Sequence, residues 1–311
     1  MQTSKLFTLL PEELVCTPDG MAIDRDGNLI LSCPNFADLS MPSCVLKIDK
    51  DRNIKKWFDV PRNEYTGEAR AMGIEFGPDG DLYLVDNASP DGSGARLEAA
   101  VKGGALSTQP GQKVEVRCRK ENGGFGTGHN TVLPELTSDY HFILNPDIQL
   151  TADTLSDLAD WMAEHPDAVM ARPGLRFPDG RSQSLPLRRC ALRPMVYRQL
   201  PFLKFWEKYN RAYLMEGEDL SAPVEIEFCT GSFSAVRTAE FKAVGGFDEH
   251  YFMYVEDADL TQKMRTTGKA YLVPQYTAIH AWHRAAHRSL KPFLWQTGSL
   301  LRYFHKWGFK F

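Results

Sequence analysis

The stretch YHFILNPDIQLTADTLSDLADWMAEHPDAVMA, residues 140–171, decides the fold class. Tyr140 to Leu144 is a short apolar run of the length of a buried strand. The period then changes. Leu155, Leu158, Trp161 and Met162 recur at i, i+3, i+6 and i+7, one face of an α-helix capped by Thr151 or Asp153 and stopping before Pro166. Ala168 to Ala171 is a second buried-type strand, and Pro178-Asp179-Gly180 makes the turn after it. Strand, helix and strand joined by short connections predict an α/β layered fold.

The strand Phe142-Ile143-Leu144 ends in Asn145-Pro146-Asp147-Ile148, which puts an amide and a carboxylate on one face of an extended chain. Hard oxygen ligands of this kind suit Mg²⁺ or Mn²⁺ carrying a nucleotide diphosphate. The alternative is a turn that caps the next helix. Upstream, Val85-Asp86-Asn87-Ala88-Ser89-Pro90-Asp91-Gly92-Ser93 is an apolar strand running into turn-forming residues, the place where open α/β sheets bind ligands. A plain turn accounts for the same residues. Asn122 to Asn130 holds glycines at 123, 124, 126 and 128, which would let backbone N–H groups approach a diphosphate, or would make a turn and nothing more.

Downstream, Cys229 to Arg237 is a small-residue loop entering a strand, and the helix from Glu240 ends at Gly245-Gly246. The densest acid cluster follows: Glu256, Asp257 and Asp259 at the start of a helix that continues through Arg265. A helix N-terminus stabilises carboxylates through its free N–H groups and dipole. Capping explains one acid of the three. A base beside a sugar pocket explains the cluster better.

The net charge of −4 gives no whole-chain reason to expect a nucleic-acid partner. The six cysteines are scattered with no C-x-x-C pair, which suggests neither zinc nor a disulfide framework and fits a reducing cytoplasm. No run reaches the roughly 18 apolar residues of a membrane span, so membrane contact would be peripheral. After Asp259 there is no acid to the C-terminus. Residues 282–311 mix Arg284, Arg288, Lys291, Arg302 and Lys306 with Trp295, Tyr303, Phe304 and Trp307, which suits either an anionic membrane interface or packing on the catalytic domain. A second basic-aromatic stretch, Arg188 to Trp206, reads as an acceptor-side flap.

The first part of the chain has different grammar. Gly20 to Leu31, with Asp26-Gly27, recurs as Gly73 to Leu84, with Asp79-Gly80, and each copy reads as a hairpin. Val45 to Ile48 and Lys56 to Phe58 would be strands between them. This part resembles one to two blades of gluconolactonase/senescence-marker-type β-propellers, too few to close a ring or assemble a lactonase site.

The order of the later pieces resembles family-2 glycosyltransferases of the α/β, GT-A type, and among them rhamnosyltransferases that act on polyprenyl-diphosphate-linked GlcNAc. The pieces are Val-Asp-Asn-Ala-Ser-x-Asp-Gly-Ser, Asn-x-Gly-Phe-Gly-x-Gly-x-Asn, Leu-Asn-Pro-Asp-Ile, Gly-Ser-Phe and Gly-Gly-Phe-Asp-Glu-x-Tyr-Phe-Met-Tyr-x-Glu-Asp-x-Asp-Leu, from Val85 onward. The resemblance implies that Asp86, Asn87, Ser89, Asn122, Gly124, Phe125, Gly126 and Asn145 bind the nucleotide sugar, with Asp86 at the base. It makes Asp147 and His280 the metal residues for Mg²⁺ or Mn²⁺, although Asn145 departs from the family's D-x-D pattern. Asp257 becomes the general base with Glu256 beside it, and Gly231, Ser232 and Asp259 meet the acceptor.

The implied partners are dTDP-rhamnose and a polyprenyl-diphosphate-linked glycan at the inner face of the cell membrane, with a homodimer left open. The implied division is 1–84, a propeller-like fragment; 85–281, the transferase core; and 282–311, the basic tail. The family's first βα unit has no counterpart, because propeller-like sequence fills its place up to the shared Leu84-Val85-Asp86-Asn87. A fusion at this point leaves two other readings open: an inactive binding remnant and a propeller-type lactone hydrolase.

Overall fold

The computed structural model describes residues 21–23, 28–33, 44–51, 53–59, 75–76, 81–103, 113–145, 147–150, 152–200, 202–280 and 290–310. Met21–Ile23 (β1), Leu29–Cys33 (β2), Cys44–Ile48 (β3) and Ile54–Asp59 (β4) form an antiparallel meander in that order. Alternate residues Leu31, Cys33, Cys44 and Leu46 bury one of its faces. The turns expected at Asp26-Gly27 and Asp79-Gly80 lie outside the described residues.

The second copy of the repeat takes a different course. Glu75–Phe76 (β5) pairs antiparallel with Leu82–Asp86 (β6), but the other edge of β6 pairs in parallel with Val114–Cys118 (β7), after the helix Ser93–Lys102 (α1). A parallel neighbour requires a crossover, and α1 supplies it. The repeat therefore hands its last strand to a βαβ unit. The division expected between residues 84 and 85 falls inside β6.

The main sheet follows. Its elements in chain order are Phe125–Asn130 (α2), Tyr140–Leu144 (β8), Ile148–Leu150 (β9), Thr154–Glu164 (α3), Ala168–Arg176 (β10), Leu192–Gln199 (α4), Glu207–Tyr213 (α5), Val224–Ile226 (β11), Phe233–Arg237 (β12), Thr238–Ala243 (α6), Glu256–Met264 (α7), Lys269–His280 (β13) and Leu290–Trp307 (α8). The strand order is β11-β13-β10-β12-β8, with β9 also beside β13. Among the described residues β8 pairs only with β12, and no strand joins it to β6.

The central strand β10 is buried nearly end to end, as a strand covered on both faces must be. On one face Ile143, Val169, Met170 and Val236 pack with Phe241 of α6 and with Leu260 and Met264 of α7. On the other, Ala171, Phe233, Ala235 and Val273 pack with Leu158, Trp161 and Met162 of α3. The expected helical stripe thus meets the sheet. Asp153 is the cap of α3 and accepts the Ser156 N–H at 3.3 Å. The result is a three-layer α/β/α core, as the strand–helix–strand pattern predicts.

Candidate functional site

Three of the predicted motifs converge at Gly231. Its N–H donates to Asp257 Oδ2 at 2.9 Å. A Cβ placed on it would sit 3.7 Å from the Phe125 ring. The next carbonyl, that of Ser232, accepts the Asn145 N–H at 2.8 Å and so fixes the end of β8 beside the loop. Base, glycine segment and Asn-Pro-Asp turn are thereby brought to one end of the sheet; Pro146 itself lies outside the described residues.

Asp257 stands in the first turn of α7, where Oδ1 also accepts the Ala258 N–H at 2.8 Å. The cap position belongs to Val255, so Asp257 is not the simple cap the sequence allowed. Tyr254 and Val255 hold φ values of 66° and 69°, a left-handed conformation that costs a β-branched residue on the order of 1–3 kcal/mol. Their surroundings impose it. Gly124 backs directly onto the Phe252 carbonyl, and Ser299 Oγ donates to the Met253 carbonyl at 2.9 Å. The strain aims the first turn of α7 at the Gly231 loop.

The two adjacent carboxylates have different surroundings. Burial, then the charge of Asp257, pushes the Glu256 carboxyl up to about 8, and its Oε2 has no hydrogen-bond partner among the described residues. Burial also raises Asp257, while the Gly231 and Ala258 amides favour its ionised form. Asp257 is therefore the anion of the pair and Glu256 its neutral neighbour. The linkage has a definite sign. A folded-state carboxyl raised above its unfolded value contributes stability fully below the ordinary glutamate range and loses it as pH rises toward about 8. Glu256→Gln should raise the melting temperature by an amount that grows between pH 5 and pH 8; a constant difference across a scanning-calorimetry series would refute it.

On the other side of the Asn145–Ser232 link, Asp147 Oδ1 lies 3.2 Å from His280 Nε2. Gln183, which carried no sequence signal, grips that histidine at two points. Its Nε2 donates to the His280 carbonyl at 2.7 Å, and its Oε1 faces His280 Nδ1 at 3.0 Å. A carbonyl oxygen can only accept, so the amide orientation is fixed and Nδ1 must be the N–H donor. Nε2 is then the atom turned to Asp147, the arrangement by which an outer partner sets a metal-binding histidine. No group of three or more His, Cys, Asp or Glu suited to a metal occurs among the described residues. A carboxylate and an imidazole nevertheless fit a cation that takes its remaining ligands from a diphosphate.

Other expectations need correction. Gly124 and Gly126 are close-packing residues: a Cβ would stand 1.8 Å from Phe252 O at Gly124 and 2.6 Å from Phe247 Cβ at Gly126. Two of the N–H groups expected to cradle a diphosphate are engaged by side chains, that of Gly123 by Asn87 Oδ1 and that of Gly124 by Asn122 Oδ1. Asn87 Nδ2 donates to the Gly124 carbonyl at 2.9 Å and ties the loop to the end of β6. Asp86 is buried and accepts the Ser89 N–H. Ser232, expected to meet the acceptor, is buried with its hydroxyl 3.0 Å from Thr230 Oγ1.

Asp259 departs furthest from its expected acceptor role. It is 0% exposed and accepts from Trp307 Nε1 at 2.7 Å, Lys306 Nζ at 2.9 Å and Tyr251 OH at 3.3 Å. Lys306 also reaches Asp248 at 2.7 Å. Burial works against the Asp248 charge, yet Lys306 and His250 hold its carboxyl well below the usual range. These contacts latch α8 onto α7. Tyr303 and Phe304 of α8 are buried against Tyr213, Phe228 and Tyr251, so this face of the basic tail packs on the core; residues 281–289 lie outside the described set.

Residues 70–244 match the family profile described as Glycosyl transferase family 2. The chain is 30% identical over 229 residues to the N-acetylglucosaminyl-diphospho-decaprenol L-rhamnosyltransferase of Mycobacterium tuberculosis, covering 66% of this chain and 66% of that relative, just under two thirds. It is 28% identical over 193 residues to the rhamnosyltransferase WbbL of Escherichia coli, covering 58% of this chain and 70% of that one. Among solved structures, mannosyltransferase PcManGT from Pyrobaculum calidifontis, in complex with GDP-Man and Mn²⁺, aligns with a TM-score of 0.41 and 17% identity over 72% of this chain and 53% of that one.

Proposed function

This chain belongs to glycosyl transferase family 2, and from that membership we propose that it moves L-rhamnose from dTDP-L-rhamnose to a lipid-linked GlcNAc acceptor in cell-envelope glycan synthesis. The names of the two rhamnosyltransferase relatives support the sugar, and the name of the mycobacterial one supports the acceptor. The observation that carries the reading is the placement of Asp257 on the Gly231 N–H, one residue from the Ser232 carbonyl that holds the Asp147 turn.

Asp257 would take the proton of the acceptor hydroxyl as that oxygen forms its bond to the anomeric carbon. The bond from that carbon to the diphosphate breaks on the opposite face, and the electron pair leaves with the nucleoside diphosphate. One base suffices for this single, inverting displacement. Neutral Glu256 adds no second charge beside the incoming oxygen. Asp147 and His280 would hold Mg²⁺ or Mn²⁺, which when bound supplies positive charge to the departing diphosphate. Asn87, Ser89, Asn122 and Phe125 would line the donor side, with Asp86 at the base.

Calorimetric titration with dTDP, with and without Mn²⁺, tests the donor half. Wild-type protein should bind in a Mn²⁺-dependent manner, and Asp147→Ala should lose that dependence with its melting transition intact. A folded wild-type chain that ignores dTDP under both conditions would refute the proposal.

A further inference from the structure

The foot of the α4–α5 hairpin stands beside the base and its tip faces solvent. At the foot, Tyr213 is buried, its carbonyl accepts the Leu187 and Arg188 N–H groups at 3.1 Å, and its hydroxyl lies 3.6 Å from Cys190 Sγ. Tyr213 and Cys190 pack in one cluster with Val255 and Ala258, the residues that flank Glu256 and Asp257. The Leu192 N–H donates to the Lys310 carbonyl at 2.9 Å, and Arg189 donates to the Trp307 carbonyl, so the latched end of α8 braces the same foot.

At the tip, Leu200 is 42% exposed, Phe202 72% and Phe205 64%. Three large apolar side chains displayed within six residues cost hydration free energy unless something covers them. Their neighbours indicate what does. Arg198, Lys204 and Lys208 are exposed around them and have no ion-pair partner among the described residues, while Glu207 is the one carboxylate between Leu192 and Tyr213. Apolar points set in a ring of cations match an anionic phospholipid surface, where the rings enter the acyl boundary and the cations meet headgroup phosphates.

We propose that the α4–α5 hairpin is the membrane anchor of this protein, inserting Leu200, Phe202 and Phe205 among anionic lipid headgroups. The inference deepens the proposed function, resting on its lipid-linked acceptor, and moves the membrane contact from the tail to this hairpin. The anchor holds the foot, and with it Asp257, at the depth where the diphosphate of such an acceptor meets water.

The experiment is sedimentation of the full chain with vesicles of phosphatidylglycerol and phosphatidylcholine, against phosphatidylcholine alone. Wild-type protein should bind the anionic vesicles and be released by salt. Phe202→Ser/Phe205→Ser should weaken binding about tenfold, and Lys204→Gln and Lys208→Gln about fivefold each, all with unchanged melting and unchanged dTDP affinity. Wild-type indifference to anionic vesicles would overturn the proposal, as would undiminished binding by the double variant. A wild-type dimer in light scattering that the double variant abolishes would also overturn it, assigning the patch to a second copy. Loss of dTDP binding by wild type with vesicle binding intact removes the proposed transfer reaction and leaves the anchor standing.

Discussion

Asp257→Asn is expected to lower sugar transfer roughly a hundred- to ten-thousand-fold, the range over which a positioned general base contributes, with dTDP affinity unchanged. The two effects separate because the asparagine keeps the shape of the side chain and one acceptor oxygen, so that one of the Gly231 and Ala258 amides keeps its hydrogen bond. What disappears is the basic electron pair, together with the second of those hydrogen bonds. Wild-type activity should also rise with pH on a limb above the ordinary aspartate range, because burial raises the Asp257 carboxyl. The variant should lack that limb. Initial rates across a pH series, with melting curves for both proteins, check the prediction; a variant retaining more than a tenth of wild-type transfer would remove Asp257 from the role of base.

The grouping of Asp257, Phe125 and Asn145 was legible because the motifs occur in a fixed order, although the Gly231-Ser232 segment that joins them reads as small residues among several. The strand at Tyr140–Leu144 and the helix at Thr154–Glu164 were legible from period alone. The long strand β13 was hidden by Pro274 within it. The sheet accommodates that proline at an irregularity where Pro173 pairs with Val273 but Gly174 pairs with Thr277. Gln183 was invisible because its partner lies 97 residues away, and a glutamine in a polar loop has no distinguishing neighbours.

The glycine segment is ambiguous in sequence for a different reason. Sequence shows that the backbone can approach something closely, and only the fold shows that Phe252 and Phe247 are what it approaches. The acid cluster at the start of α7 contained a clue that spacing alone could have given. Residues two apart on a helix point about 200° apart, so Asp257 and Asp259 cannot share a pocket. One faces the Gly231 loop, the other faces α8.

That second face gives the largest expected change in stability. Lys306→Met should cost on the order of 3 kcal/mol, because it leaves the fully buried Asp259 carboxylate with the hydrogen bonds of Trp307 and Tyr251 and without the ammonium that hydrogen-bonds it. Asp259→Asn should cost less. Lys306 is 34% exposed in its side chain and keeps Asp248, so removing the buried anion leaves no charge without a partner or water. The double variant should then be more stable than Lys306→Met alone, since a neutral amide at position 259 no longer requires the ammonium, and the cycle measures this coupling directly. Chemical denaturation of the four proteins supplies the numbers, and hydrogen exchange from Ser299 to Trp307 shows whether the end of α8 has come free. Additive single effects would mean that the carboxylate and the ammonium are independent. A stable Asp259→Asn protein with weakened acceptor use alone would return Asp259 to the acceptor.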